Sequence, residues 1–337
     1  MTAKVALRHV TKIYPPASGL HGAQAPAGGR AAALDDVSLD VADGEICVLM
    51  GLSGCGKSTL LRLMNGLVLP SSGEIVVDGH DLATLSERKL QVLRRGSMAM
   101  VFQSFALFPH RSVIDNAAFG LEIAGVPKIE RHRRAAVVLE QVGLAANAKQ
   151  FPHQLSGGMR QRVGLARALA VDPSLLLMDE AFSALDPLTR RGMQDLLLDL
   201  QKEKRRTIVF VSHDVEEALH LGDSIALLHD GRLLQHGTPR ELVARPVNDH
   251  VRAFFGGVDP TRHLRAADLI DLVDPVAGLL ADDAGVAADT ELGELMARLT
   301  QSSAPLTVRD ASGIALGAIT TASALRVLAR ARDGHAG

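Results

Sequence analysis

Tryptophan is absent from the 337-residue sequence, tyrosine occurs once, as Tyr14, and cysteine occurs twice, as Cys47 and Cys55. Two cysteines are too few for a disulfide framework, and their scarcity is typical of a chain that works in a reducing compartment. No apolar run approaches the roughly 18 residues that a membrane-spanning helix needs. The sequence therefore excludes a disulfide-stabilised secreted scaffold, and we expect any membrane role to depend on a separate partner protein.

The charge balance and the N-terminus exclude further classes of protein. The formal net charge is -2, with 36 Lys and Arg against 38 Asp and Glu, which gives no indication of nucleic-acid binding or of attraction to an anionic membrane. The opening stretch MTAKVALRHV contains no apolar h-region, so we expect no signal peptide. Hydrophobic residues make up 47% of the chain, enough for a substantial core, and the length suits about two domains.

Four short apolar runs each end in polar residues. Each run is nearly continuous, as expected for a strand that is buried on both faces of a parallel sheet. Helical patterns separate the runs, and ligands of open α/β sheets bind at the carboxyl ends of the strands. The sequence therefore predicts an α/β fold with one shared site. The four runs are EICVLM before GLSG, SMAMVFQ before SFALFPH, SLLLMDE, and TIVFVSHD.

The segment after EICVLM matches the P-loop pattern at Gly51, Gly56, Lys57 and Ser58. Its glycines let backbone N–H groups close around phosphate oxygens, and the helix that follows adds positive potential. We expect Lys57 to reach the β- and γ-phosphates of ATP and Ser58 to bind Mg²⁺. A chance glycine-rich turn is the alternative, and the flanking strand and helix patterns argue against it. The predicted nucleotide-binding residues of this loop are Gly51, Leu52, Ser53, Gly54, Cys55, Gly56, Lys57, Ser58 and Thr59.

Catalytic candidates follow three other runs. Asp179 fits the second Mg²⁺ ligand of P-loop enzymes, and Glu180 fits a general base that polarises the attacking water. His213 is expected to contact the γ-phosphate. Gln103 is expected to touch Mg²⁺ or the water and to change position when the γ-phosphate leaves. The alternatives are a solvated strand end for the acidic pair and a structural or solvated role for His213.

A second glycine pair lies in QLSGGMRQR, a hundred residues after the P-loop. Ser156 suits a helix N-cap, and Gly157 and Gly158 open the helical pattern GGMRQRVGLARALA. The segment is either an ordinary capped helix or a second phosphate site. Tyr14 raises a similar choice, because an aromatic ring can stack on a base or lie on the surface, and its spacing alone favours the surface.

Taken in order, these motifs resemble the ATP-binding subunits of ABC transporters. The resemblance covers residues from about 4 to 255, about three quarters of the chain. It implies a P-loop NTPase domain of the ABC type over residues 1–255, with a helical subdomain at about 104–170. The motifs are Tyr14, the P-loop, Gln103, the signature Leu155–Met159, Asp179 and Glu180, SALD at Ser183–Asp186, and His213.

The resemblance also implies a head-to-tail dimer with ATP between the P-loop of one copy and the signature of the other. Ser156, Gly157 and Gly158 are then expected to contact nucleotide held by a second copy of the chain, with Asp186 near the same interface. Tyr14 becomes the aromatic that stacks on adenine. The implied cofactors are ATP and Mg²⁺, with Ser58, Gln103 and Asp179 around the metal.

A narrower resemblance points to the glycine betaine/proline betaine/choline importers, which take up quaternary ammonium osmolytes such as these and carnitine. It is carried by Met159, where most of the larger family has Gln, and by stretches such as MVFQSFALFPH, EAFSALDPLTR and TIVFVSHDVEEAL. It implies a separate transmembrane permease, an extracytoplasmic solute-binding protein, and a peripheral location on the cytoplasmic face of the inner membrane. The segment SFALFPHRS is apolar enough to meet the permease. The alternatives are an ATPase of another importer or of an exporter, and a soluble ABC ATPase of translation or DNA repair.

The last part of the sequence differs in composition from the rest. After Phe255 there is no aromatic residue and no lysine, and Gly256–Gly257 marks a boundary. We expect a small α+β accessory domain over residues 258–333, where APLTVRDASGIALGAITTASALRVLA resembles a single CBS-like repeat of strand, turn, strand and helix. An inert dimerisation appendage is the alternative. The stretch between Pro15 and Leu34 is predicted to be a flexible insertion, with no function assigned to it.

Overall fold

The computed structural model describes residues 3–15, 32–102, 106–270, 285–302 and 304–332. These ranges contain thirteen strands, fourteen α-helices and two short 3₁₀ helices, Ala145–Asn147 and Pro152–Gln154. The strands are β1 (Ala3–Lys12), β2 (Leu34–Ala42), β3 (Ile46–Met50), β4 (Ser72–Val77), β5 (His80–Asp81), β6 (Met98–Val101), β7 (Leu175–Asp179), β8 (Thr207–Val211), β9 (Ser224–His229), β10 (Arg232–Gly237), β11 (Gly285–Ala287), β12 (Leu306–Arg309) and β13 (Ala315–Ile319). The α-helices are α1 (Lys57–Met64), α2 (Glu87–Ser97), α3 (Val113–Ala117), α4 (Phe119–Ile123), α5 (Lys128–Gln141), α6 (Gly157–Leu169), α7 (Pro187–Glu203), α8 (Val215–Leu221), α9 (Pro239–Ala244), α10 (Asp249–Phe255), α11 (Pro260–His263), α12 (Ala266–Ile270), α13 (Leu292–Gln301) and α14 (Thr321–Arg332).

The four predicted strands lie side by side in a six-stranded sheet of order β10-β9-β3-β8-β7-β6. Strand β3 pairs in parallel with β8 and β9, and β7 pairs in parallel with β8 and β6. Every residue of β3 and β8 is buried, which explains why their sequences are continuous apolar runs rather than alternating ones. The prediction that four strands end at one edge of a parallel sheet is confirmed.

A second, antiparallel sheet of order β2-β1-β4-β5 packs its apolar face into the same core. Its strands alternate, so Val5, Leu7 and Val10 of β1 are buried while their neighbours are not. Helix α1 contacts β4 of this sheet and also β7 and β8 of the parallel sheet. The helix that begins in the P-loop is therefore held by buried contacts from both sheets.

The segment between the strand β6 and the signature is mostly helical, as predicted. Helices α3, α4, α5 and α6 contact one another. The assignment of residues 104–170 to a separate subdomain stays a prediction. Within the described ranges, no helix is long and apolar enough to cross a membrane.

The chain divides into two compact units, Met1–Leu233 and Leu234–Gly337. The expected boundary at Gly256–Gly257 lies inside the second unit, because Val243 and Ala244 of α9 pack against that unit's own apolar cluster. The second unit contains a three-stranded sheet of order β11-β12-β13. Strand β12, strand β13 and helix α14 follow in the order predicted for the tail, while the likeness to a CBS repeat stays a prediction.

A buried asparagine fixes the loop that precedes α3. The side chain of Asn116 has no exposed surface. Its Oδ1 accepts from the backbone N–H of Phe108 at 2.8 Å, and its Nδ2 donates to the carbonyl oxygens of Phe108, Arg111 and Ser112 at 3.1, 3.0 and 3.0 Å. One side chain therefore satisfies polar backbone groups along a five-residue loop that has no regular structure of its own.

We expect Asn116→Leu to lower the free energy of unfolding by about 3 kcal/mol, because it leaves several backbone groups without partners. The midpoint of urea unfolding measures the change. Asn147→Ala is the matched control, since the amide of Asn147 donates to a single side chain, Gln150, at 2.9 Å, and its loss should cost less than about 1 kcal/mol. Equal destabilisation by the two variants would contradict the role assigned to Asn116.

Candidate functional site

The carboxyl ends of β3, β8 and β7 bring the P-loop, His213, Asp179 and Glu180 to one edge of the parallel sheet. Leu49 of β3 and Asp179 of β7 both pair with Val211, the last residue of β8. The Ser58 hydroxyl donates to Asp179 Oδ1 at 3.0 Å, and His213 Nδ1 lies 3.6 Å from Glu180 Oε1. The structure thus places side by side the side chains that the sequence predicts for phosphate, metal and water.

The P-loop keeps its shape through two glycines that no other residue could replace. Gly51 and Gly56 have φ values of 142° and 103°, a region that side chains rarely adopt. A Cβ at Gly51 would lie 2.2 Å from the carbonyl oxygen of Leu228, and one at Gly56 would lie 2.6 Å from that of Ala33. The loop therefore packs against its neighbours without room for a side chain at either position.

Lys57 is held at the centre of this loop. Its side chain is buried, and its Nζ donates to the carbonyl oxygens of Gly51 and Leu52 at 2.7 and 3.0 Å. The Sγ of Cys55 lies 3.8 Å from the same nitrogen. A buried ammonium with three donors among backbone dipoles is suited to an anionic oxygen. Cys55 is itself buried, in keeping with its expected place in the phosphate loop.

Asp179 carries a carboxylate that lacks full compensation. Burial raises its pKa, and the charge of Glu180 raises it further, while the hydrogen bond from Ser58 and the more distant Arg62 and Lys57 act in the opposite direction. A hard cation beside this carboxylate would offset the cost of keeping it ionised. The Ser58 hydroxyl and the Asp179 carboxylate are oxygen donors of the kind that Mg²⁺ takes, and Mg²⁺ commonly completes its shell with water and substrate phosphates.

The described ranges contain no cluster of three or more His, Cys, Asp and Glu side chains that could hold a metal by themselves. Ser58 and Asp179, which lie within hydrogen-bond distance of each other, can supply two oxygen ligands to the predicted ion. The third predicted contributor, Gln103, lies outside the described residues.

Glu180 is fixed by a strained backbone. Its φ is 46°, an uncommon value for a residue with a side chain, and such strain is concentrated at functional sites. Its backbone N–H donates to the carbonyl oxygen of Val211 at 3.2 Å, and its own carbonyl accepts from the Ser183 hydroxyl at 2.9 Å. Its carboxylate is partly exposed and His213 more so, so both side chains are open to a substrate.

The signature segment is a capped helix. Ser156 is the N-cap of α6, and its hydroxyl accepts from the backbone N–H of Met159 at 3.3 Å. A Cβ at Gly158 would lie 2.6 Å from Cγ2 of Thr189 in α7, whereas one at Gly157 would meet no described atom within 4 Å. The predicted contact of Ser156, Gly157 and Gly158 is with a second subunit, so it stays a prediction.

Asp186 caps the next helix in the same way. Its Oδ1 accepts from the backbone N–H of Thr189 at 3.0 Å. Hydrogen bonds from the side chain and the backbone of Thr189 lower the pKa of Asp186, so the carboxylate stays ionised. Its expected place near a subunit interface stays a prediction.

Tyr14 lies two residues after the end of β1, with 42% of its surface exposed. The Nζ of Lys12 is 5.2 Å from the centre of its ring, within the range of a cation–π contact. An exposed ring of this kind is free to stack on a base, and that role stays a prediction. Residues 16–31, most of the predicted insertion, lie outside the described residues.

Two residues near the site carry no expectation from sequence, although they connect its parts. Gln161 of α6 is buried, and its Nε2 donates to the carbonyl oxygen of Ala181 at 2.5 Å, directly after Glu180. Arg190 of α7 binds the segment before Asp186 and also Asp214. An amide on the apolar face of a helix was the sequence signal that could have indicated a buried role for Gln161. The sequence offers no such signal for Arg190, because many helices carry exposed arginines.

Comparison with known proteins agrees with this geometry. The family model described as ABC transporter matches residues 34–183. The trimethylamine N-oxide transport system ATP-binding protein TmoW of Ruegeria pomeroyi is 45% identical over 305 residues, which are 90% of this chain and 88% of TmoW. The glycine betaine/proline betaine transport system ATP-binding protein ProV of Escherichia coli is 54% identical over 241 residues, 72% of this chain. The chain spans 60% of the length of ProV.

A solved structure extends the likeness to the fold. A dimeric ATP-binding cassette in a post-hydrolysis state, bound to ADP and phosphate, has a TM-score of 0.60 and 34% sequence identity with this chain. The match covers 70% of this chain and 98% of the cassette. With a P-loop, an acidic strand end and a histidine brought to one sheet edge, and with 45% identity to TmoW across nearly its whole length, the chain belongs to the ABC transporter family of ATP-binding proteins.

Proposed function

We propose that this chain binds ATP with Mg²⁺, hydrolyses it, and so drives an ABC importer for osmolytes that carry a fully substituted nitrogen. The proposal is carried by one arrangement, in which Ser58 lies 3.0 Å from Asp179, beside Lys57, and His213 lies 3.6 Å from Glu180. The similar solved cassette is bound to ADP and phosphate, which supports ATP as the nucleotide that this chain hydrolyses.

The residues at this edge of the sheet have different roles in hydrolysis. The P-loop glycines and the N-terminus of α1 hold the phosphates, and Lys57 offsets their charge. Ser58 and Asp179 would hold Mg²⁺, which supplies a positive charge that stabilises the phosphate oxygens. Gln103, with its amide, would touch the same ion or the water.

Glu180 accepts a proton from water as the water oxygen bonds to the γ-phosphorus and the bond to the β-phosphate oxygen breaks, leaving ADP and phosphate. His213 holds the γ-phosphate oxygens in place for this attack. The 3.6 Å separation of His213 Nδ1 and Glu180 Oε1 supports these roles, because side chains this close can serve one phosphate and one water.

The active form is a head-to-tail dimer with a second copy of the chain. Ser156, Gly157 and Gly158 complete the site formed by the partner's P-loop, Asp186 lies next to it, and Tyr14 stacks on adenine. The exposed N-terminus of α6, capped by Ser156, supports this arrangement because a helix N-terminus attracts phosphate.

The permease is a separate protein that docks on the loop after Gln103. Arg111 lies over the rings of Phe108 and Phe119, at 5.3 and 5.0 Å from their centres, and pairs with Glu122 at 2.8 Å. The amide of Asn116 fixes the part of this loop from Phe108 to Ser112, which supports a preformed, partly apolar surface there. The chain would then lie on the cytoplasmic face of the membrane, with a solute-binding protein on the other side. The ATP-binding motifs all lie in the first compact unit, Met1–Leu233, and residues 258–333 of the second unit would form an accessory domain of CBS-like form.

The solute class follows from the relatives together with Met159. The names of ProV and TmoW give glycine betaine, proline betaine and trimethylamine N-oxide as their solutes. These compounds share a nitrogen with four substituents, as do choline and carnitine. We therefore place this chain with an importer of that chemical class.

Uptake of labelled solute tests the function. In a strain that lacks this gene, the wild-type chain should restore uptake of at least one of glycine betaine, proline betaine, choline, carnitine and trimethylamine N-oxide, and the Glu180→Gln chain should not. Unchanged uptake of all of them in the deletion strain would refute the solute class. Recovery of the chain with ribosomes or DNA, and without a permease, from solubilised membranes would refute transport altogether.

We expect Glu180→Gln to keep ATP binding and to slow hydrolysis by about 10²- to 10⁴-fold, because an amide cannot accept the proton. The unreacted ATP should hold two copies together, which size-exclusion chromatography with ATP detects. Glu216→Gln, an exposed carboxylate close to His213 in the sequence, is the matched control and should hydrolyse ATP normally. Normal turnover by Glu180→Gln would show that another group is the base.

Mixing two inactive variants tests the shared site. Lys57→Ala disables the P-loop and Ser156→Ala disables the signature, and each variant alone should be nearly inactive. In an equal mixture, half of the dimers pair one of each and contain one intact site, so about a quarter of the wild-type rate should return. No recovery in the mixture would contradict a site built from two copies.

A further inference from the structure

The first turn of α7 is where two separate parts of the site meet. Asp186 caps this turn through Thr189, and Gly158 of the signature packs directly against Thr189. The next residue, Arg190, turns toward α8 and the His213 segment. The start of α7 therefore contacts the signature and the segment that ends at Asp186, which are both proposed to serve the partner's site. It also contacts the segment that carries His213, which serves the chain's own site.

Arg190 makes both connections with one guanidinium group. Its Nη2 donates to the carbonyl oxygens of Ser183 and Leu185 at 3.3 and 3.0 Å, and its Nη1 lies 3.3 Å from Asp214 Oδ2. The side chain is about one quarter exposed, at 27%. A guanidinium is planar and rigid, so a shift of Asp214 moves the donors that hold the segment Ser183–Asp186.

Asp214 is fixed to the turn that carries His213. Its Oδ1 accepts from the backbone N–H of Glu217 and caps α8, and its own N–H donates to the Ser212 hydroxyl at 3.0 Å. His213 lies between Ser212 and Asp214 in the chain. A displacement of the backbone at His213 would therefore move Asp214 or break the hydrogen bonds that Asp214 makes.

A second contact fixes the same turn to α7. Gln194, one helical turn after Arg190, donates to Glu217 Oε1 at 3.0 Å, and the Ser212 hydroxyl donates to Glu217 Oε2 at 2.6 Å. Gln194 and Glu217 are both buried, so this part of the contact is rigid. Arg190, one helical turn earlier in α7, is more exposed than Gln194.

We propose that Arg190 is a positioning residue for the ATP site of the partner subunit. His213 acts on the ATP held by its own P-loop, whereas Asp186 belongs to the segment lent to the partner's ATP. The Arg190–Asp214 pair holds this lent segment against the turn that carries His213. This inference rests on the head-to-tail dimer proposed above.

Mixed dimers of a wild-type and a Lys57→Ala subunit isolate the effect. Their one working site takes its P-loop and His213 from the wild-type subunit, and Ser156 and Asp186 from the Lys57→Ala subunit. Arg190→Gln, introduced only into the Lys57→Ala subunit, should slow ATP hydrolysis at that site by about tenfold, the effect of one lost charge-assisted hydrogen bond. Two purification tags, one on each subunit, yield the mixed dimers.

Two further variants of the Lys57→Ala subunit show how the effect arises. Asp214→Asn keeps a good N-cap for α8 but removes the charge that Arg190 faces, and it should slow the working site to a similar extent. Arg191→Gln is the matched control, because Arg191 forms an exposed ion pair with Asp195 at 3.5 Å, and it should change the rate less than twofold. Each altered subunit must keep its thermal unfolding midpoint and its pairing with the wild-type subunit.

Full-rate hydrolysis with Arg190→Gln in the Lys57→Ala subunit would overturn the proposal. So would a loss with Arg190→Gln but not with Asp214→Asn, since Arg190 would then only hold its own loop. These outcomes are separable from failure of the dimer itself. The Lys57→Ala and Ser156→Ala mixture regains activity if the dimer is right, whatever Arg190 does.

Discussion

Parallel pairing of β3, β8 and β7 is the constraint on which the site depends. The pairs of Leu49 and Asp179 with Val211 fix the strand ends at one level, and each polar residue that follows then starts from a defined place. A register shift of one residue would turn Asp179 away from Ser58, because side chains alternate between the faces of a sheet. The buried apolar runs that form these strands therefore also set the distances between the polar side chains of the site.

Negative charge is concentrated at this edge, and the backbone conformation directs the two carboxylates to different partners. Asp179 and Glu180 are adjacent, and the charge of Glu180 helps to raise the pKa of Asp179. The positive φ of Glu180, 46°, lets consecutive carboxylates depart from the strand's regular alternation. One carboxylate meets Ser58 and the other meets His213, so the strain serves two different partners.

Much of the fold and of the site could be predicted from sequence, because local patterns carried the information. The P-loop glycines, the helix after them and the N-caps Ser156 and Asp186 each depend on a few neighbouring residues. Strands β9 and β10, which extend the six-stranded sheet beyond β3, are not predicted. The place of β9 beside β3 depends on long-range pairing, whereas the two-residue link Asp230–Gly231 between β9 and β10 is a local hairpin signal that could have been used. The links made by Gln161, Asn116 and Arg190 could not be predicted either. Each joins a side chain to backbone groups that the fold alone brings near.

Ser156 shows how one side chain can stabilise its own helix and remain available for a phosphate. Its hydroxyl oxygen accepts from the N–H of Met159, but a hydroxyl also carries a proton that it can donate. Asp186 differs, because its carboxylate accepts from Thr189 and has a lowered pKa, so it has no proton to give to an anion. In a shared site Ser156 is therefore suited to bind the phosphate directly. Asp186 is suited to hold water or a donor of the opposite subunit, and its loop needs the support that Arg190 provides.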